Sequence, residues 1–165
     1  MQTWIRLIIA GALLVGASLA HAVRTGEPAP PLVLESASGE TIDLSHLRGR
    51  VVYVDFWASW CAPCRRSFPW MNGLLERHGG EGFVIVGVNV DKRRADADRF
   101  LRDVPAAFPV VFDAQGATPA AFDVKGMPSS YLVDRHGVVA MVEEGFHDER
   151  RADIESRIRA LLSQQ

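Results

Sequence analysis

The 165-residue chain holds two cysteines, and they stand three positions apart in Trp57-Ala58-Ser59-Trp60-Cys61-Ala62-Pro63-Cys64-Arg65-Arg66. Two thiols at that spacing have three uses: a permanent staple, part of a metal site, or a dithiol that cycles with its disulfide. As a staple the pair is poorly placed, because so short a loop removes little entropy from the unfolded chain compared with one of ~15 residues or more. A zinc site needs two further ligands, and the five histidines, at 21, 46, 78, 136 and 147, are scattered with no second cysteine pair. Copper(I) is held by fewer soft ligands, so a copper-carrying module stays open as the rival to redox cycling. Disulfide exchange needs no cofactor, and none is expected.

The segment leaves an apolar, strand-like run and is expected to enter a helix at the first cysteine. The free N–H groups and partial positive charge of a helix start stabilise an anion, and such positions lower a cysteine pKa from ~8.5 to roughly 3.5–7.5. Cys61 is therefore the expected nucleophile. Cys64 lies one turn deeper and is expected to resolve the mixed disulfide that Cys61 forms. Pro63 removes a donor where the first turn has none to lose and stiffens the loop between the sulfurs. Arg65 and Arg66 add positive charge but oppose the helix dipole there, and they read as solvated surface residues.

The surrounding pattern supplies a scaffold. Val51 to Trp57 is a nearly continuous β-branched and aromatic run, the signature of a central strand buried on both faces. From Ala62 to about His78, Phe68, Met71, Leu74 and Leu75 recur at helical spacing, with Pro69 inside the helix as an expected kink and Gly79-Gly80 as its end. A second buried strand, Phe83 to Val90, and a helix through Ala95, Ala97, Phe100 and Leu101 follow, which implies a right-handed parallel crossover. Phe108 to Phe112 contains Pro109 and reads as an edge strand. Ala117 to Phe122 reads as a short helix, Ser129–Val133 and Val138–Glu143 as an antiparallel hairpin, and the chain closes with a helix from about Glu149. Near the start, Leu32–Leu34 and Thr41–Leu44 flank a turn-rich stretch and form a further hairpin. His78 near a helix end and His136 in a turn are expected to be solvated.

Composition bounds the class. The chain is 48% hydrophobic with 18 Lys+Arg against 20 Asp+Glu, which fits one globular domain and offers no basic footprint for nucleic acid. Leu7 to Ala20 is an apolar run behind Arg6, too short for a comfortable span of ~20 residues and followed by Ala20-His21-Ala22. Residues 1–22 are read as an export signal, with an uncleaved membrane anchor as the alternative, residues 23–31 as a proline-rich linker, and 32–165 as the domain. Export would place the dithiol in an oxidising compartment.

Val54-Asp55-Phe56-Trp57-Ala58-Ser59-Trp60-Cys61-Ala62-Pro63-Cys64 resembles the active-site segment of thioredoxin. Pro69, eight residues after Cys61, matches that family's helix-kinking proline, and Met127-Pro128 before the Ser129–Val133 strand looks like its cis-proline loop. Signal, hairpin, CxxC and Met-Pro-Ser-Ser-Tyr-Leu-Val-Asp together are similar to exported TlpA/ResA-like (DsbE/CcmG-like) thiol:disulfide oxidoreductases, over roughly Glu27 to Leu162. The resemblance implies a thioredoxin-like α/β fold: a central mixed sheet flanked by helices, with an N-terminal β-hairpin extension. It implies disulfide-containing protein partners, a membrane-embedded reductant, and substrate contact at Trp60, Met127 and Pro128, with Trp57 covering the site helix. Cytochrome c maturation or copper-site assembly is the implied setting. Asp55, six residues before Cys61 in an apolar strand, should carry a raised pKa that suits it to take the Cys64 proton, as the family uses an acid there. The Ala-Pro dipeptide is closer to the Gly-Pro of reducing thioredoxins than to the Pro-His of strong oxidants, which makes an oxidant the further alternative. One position departs: ResA-like members often carry an acid three residues after the second cysteine, and here it is Ser67.

Overall fold

The computed structural model describes residues 23–164; the expected export signal lies outside them. Strand β3 (Val51–Trp57) is buried at all seven positions and is hydrogen-bonded on both sides, which is what a run of Val, Tyr, Phe and Trp with a single acid demands. It pairs in parallel with β4 (Phe83–Asn89) and antiparallel with β6 (Ser129–Val133). The edges are β5 (Val110–Phe112), parallel to β4, and β7 (Val139–Glu144), antiparallel to β6, so the mixed sheet runs β5-β4-β3-β6-β7. A separate antiparallel hairpin joins β1 (Val33–Glu35) and β2 (Thr41–Asp43).

Side chains alternate across a strand, so each face of the sheet has its own core. Val51, Tyr53 and Trp57 of β3, with Phe83 and Ile85 of β4, pack under three helices: α1 (Cys64–His78), α2 (Arg94–Asp103) and α4 (Arg151–Leu162). Val52, Val54 and Phe56, with Val86, Val88 and Tyr131, face Leu32, Leu44 and Phe122, the last at the end of the short helix α3 (Ala117–Ala121). Each large apolar side chain so enclosed stabilises the fold by about 1.5–3 kcal/mol. The β3-α1-β4 unit is the parallel crossover expected from the sequence, and α1 runs through Pro69 without interruption.

The proline-rich segment before β1 lies along the sheet. Gly26 N–H donates to the Val139 carbonyl at 2.8 Å, Val139 N–H to that of Glu27 at 2.9 Å, and Ala29 N–H to that of Gly137 at 2.9 Å. These bonds occupy the start of the outer edge of β7, where unpaired backbone groups would otherwise be open to another chain.

Two expectations are corrected. The helix begins at Cys64, not at Cys61, because the chain leaving β3 makes two successive turns first: Cys61 N–H reaches the Ala58 carbonyl at 3.1 Å and Cys64 N–H that of Cys61 at 3.2 Å. His78 is not solvated. It is buried at the end of α1, with Nδ1 3.1 Å from Glu81 and Nε2 3.0 Å from Glu155 of α4, a carboxylate that only the tertiary fold brings there. His136 is exposed, as expected.

Candidate active site

The site is built where β3 hands over to α1. Cys61 and Cys64 are joined as a disulfide, with Sγ–Sγ 2.03 Å and Cα–Cα 5.4 Å. Cys64, the first residue of α1, is fully enclosed, while Cys61 keeps 3% of its surface. Although Cys61 precedes the helix, its sulfur faces the helix start: the Cys64 N–H donates to Cys61 Sγ at 3.2 Å. An N–H directed at a sulfur from the positive end of a 15-residue helix favours negative charge on that sulfur.

The approach to Cys61 is held from β4. Ser59 donates twice to Asp91, through N–H and Oγ–H, both at 2.8 Å, and Asn89 Nδ2–H completes three bonds to that carboxylate at 2.8 Å. Sequence reasoning missed Asp91; the available signal was the polar pair Asn89 and Asp91 at the end of an apolar strand. The two tryptophans around this loop separate. Trp57 is fully buried against Phe68 and Phe100, with ring centroids at 4.9 and 4.8 Å, so it belongs to the core; Trp60 is 70% exposed. The peptide bond between Met127 and Pro128 is cis, and Met127 packs, half-buried, against the cluster that contains both cysteines. Pro63 sits at the N-cap of α1, and Arg65 and Arg66 are exposed, 3.8 Å from Asp103 and 3.5 Å from Asp148 respectively.

Asp55 lies two residues before Trp57 on the same face of β3 and is 1% exposed. Burial pushes its carboxyl up to about 7, opposed by one hydrogen bond from Ser130 Oγ–H to Oδ1 at 2.7 Å; Oδ2 has no partner among the described residues. A carboxyl that titrates near neutral pH gains and loses a proton readily at pH 7. Ser67 is buried as well, and its hydroxyl is engaged with the Cys64 carbonyl at 3.2 Å. Among the described residues, no group of three or more His, Cys, Asp or Glu is placed to hold a metal ion, and no helix is long and apolar enough to cross a membrane.

Residues 24–159, which include every strand of this sheet, match the Redoxin family. The chain belongs to the redoxin family. This redoxin is 35% identical over 125 residues to the thiol-disulfide oxidoreductase ResA of Bacillus subtilis (strain 168), covering 76% of this chain and 70% of that protein. It is likewise 35% identical over 124 residues to ResA of Geobacillus kaustophilus, covering 75% and 71%. Among solved structures, a Chlorobium tepidum protein described as the thiol:disulfide interchange protein DsbE superposes with a TM-score of 0.83 at 45% identity, covering 86% of this chain and all of that one. The redoxin is thus a ResA/DsbE-like thiol-disulfide oxidoreductase of the thioredoxin superfamily, with the mixed five-stranded sheet and N-terminal β-hairpin expected from its sequence.

Proposed function

We propose that the protein is exported and reduces disulfides in protein partners, with Cys61 as attacking sulfur, Cys64 as resolving sulfur and Asp55 as proton acceptor. The observation that carries this reading is the asymmetry of the pair. Cys61 alone retains surface and receives the helix N–H, while Cys64 is enclosed on the side of the sheet that carries Asp55.

In the reduced protein the Cys61 thiolate attacks one sulfur of a partner disulfide. A new S–S bond forms, and the partner's other sulfur leaves as a thiolate that takes a proton from water. The Cys64 thiol then gives its proton to Asp55, and the resulting thiolate attacks Cys61 Sγ. The Cys61–Cys64 disulfide closes and the second partner sulfur departs, so the partner gains two electrons and the redoxin loses two. A membrane-embedded dithiol returns them by the same exchange in reverse. Trp60, Met127 and Pro128 form the face that receives the partner backbone by strand addition. Trp57, Pro63 and Pro69 shape the support beneath it.

The test is capture. Cys64→Ser should stall as a mixed disulfide through Cys61, and Cys61→Ser should abolish turnover of insulin disulfides. Identification of the trapped species in the exported compartment separates apocytochrome c, a copper-site assembly factor and a general pool of misoxidised proteins as targets. Retained turnover in Cys61→Ser together with an empty trap in Cys64→Ser would reverse the assignment.

A further inference from the structure

The proton step proposed above needs Asp55 to offer one defined oxygen, and the sheet register shows how that is arranged. In the β3 row, Asp55 stands opposite Gly87 of β4 on one side and Ser130 of β6 on the other. Gly87 supplies no donor and has little room for one. A Cβ there would lie 3.0 Å from the Phe108 ring and 3.3 Å from Trp57 Nε1. Ser130 is 4% exposed, and its hydroxyl donates to Oδ1 at 2.7 Å, leaving Oδ2 buried and without a partner among the described residues.

Resting on the reading of Asp55 as proton acceptor, we infer that Ser130 is the positioning residue of that step: by holding Oδ1 it makes Oδ2 the oxygen that receives the Cys64 proton. The hydroxyl suits both states of the acid. When Asp55 is ionised, Ser130 donates to a carboxylate oxygen; when Oδ2 is protonated, Oδ1 becomes a carbonyl-type oxygen and the same hydrogen bond persists without rotation of either side chain. A proton on Oδ1 would instead force the serine to turn and accept.

The other groups around Asp55 leave this task to Ser130. The next residue in the row, Glu143 of β7, is paired with Arg150. On its own strand, Tyr53 is a buried phenol pushed above its ordinary range, first by desolvation and then by the Asp55 charge, against a hydrogen bond with the Ser130 side chain, so the same hydroxyl serves both Asp55 and Tyr53. The helices over this face contribute apolar side chains, Phe68 and Met71 from α1, Phe100 from α2 and Ile154 and Ile158 from α4, and the Ser67 hydroxyl is engaged with the Cys64 carbonyl. Among the described residues no Lys, Arg or His hydrogen-bonds or ion-pairs with Asp55.

The experiment compares Ser130→Ala, Ser130→Thr and Asp55→Asn in the reduced protein. One readout is the Asp55 midpoint from carboxyl 13C NMR; the other is the pH profile, from about pH 5 to 9, of resolution of a preformed mixed disulfide at Cys61. Loss of a hydrogen bond that favours the ionised acid should raise the midpoint in Ser130→Ala by about one pH unit and move the profile with it, and Ser130→Thr should restore both. If Asp55→Asn removes the pH dependence while Ser130→Ala titrates like the wild type, Ser130 has no positioning role and the Asp55 role stands. If Asp55→Asn leaves the profile intact, the Asp55 reading fails first and the inference with it.

Discussion

Asp55 titrates near ~4 in an unfolded chain and at about 7 in the fold, so between those values the native state holds a proton that the unfolded state has released. Stability therefore falls as pH rises through this window and levels off above it. Asp55→Asn keeps an acceptor for Ser130 and removes the buried charge. It should stabilise the protein by on the order of 2–4 kcal/mol at pH 8 and by little at pH 4, read from urea midpoints at the two pH values. An equal gain at both would show that the carboxyl is not the source. The same substitution should slow resolution of the mixed disulfide at neutral pH by about 10²–10⁴, the range in which positioned proton acceptors act. Asp55 was legible in the sequence because a single acid inside Val51–Trp57 must be buried if the strand is central. Ser130 was not: Ser129 and Ser130 alternate faces, and only the pairing of β6 with β3 decides which of them meets the acid.

At the scale of elements, α1 is secured at both ends by different chemistry. At its start, Phe68 joins Trp57, Phe100 and Phe108 in an aromatic cluster with centroid distances of 4.9 to 5.3 Å. Phe68→Ala should cost about 3–5 kcal/mol in denaturant unfolding, and a loss below ~1 kcal/mol would mean that the cluster closes over the gap. At its end, Arg77 donates to both Glu155 oxygens at 2.9 and 3.1 Å while the buried His78 takes one of them, tying α1 to α4. The Arg77 hydrogen bond, ahead of that from His78, holds the Glu155 carboxyl below its usual range. Its contribution is fully present above the ordinary carboxylate value and is lost as pH falls from there through the depressed value of the folded state, opposite in sign to Asp55. Glu155→Ala should cost about 1–3 kcal/mol at pH 7 because it strands a buried imidazole nitrogen, with a smaller penalty near pH 3; an equal loss at both would leave packing as the cause. Helical spacing revealed α1 and α4 separately. Their clasp was hidden because His78 and Glu155 are 77 positions apart, and the start of α1 was misplaced because periodicity does not report the two turns before Cys64.

For the whole molecule, the β3-α1-β4 crossover at the centre followed from the order of apolar runs, since a buried strand, an amphipathic helix and a second buried strand have few ways to pack. The role of Arg24 to Ala29 did not, because prolines mark extended backbone without saying what it lies against. That segment rests on Gly137 to Val139, at the beginning of β7. By the pairings β3 with β6 and β6 with β7, the strand β7 points the same way as β3, whose far end leads to Cys61. A bulky fusion joined ahead of Val23 should therefore leave the rate of insulin reduction as it is without the fusion; a steep loss would place the two poles closer than the sheet direction implies. The segment Arg24 to Ala29 and the reactive sulfurs therefore lie toward opposite ends of the sheet, so a handle attached at the first can hold the protein on a support without masking the second.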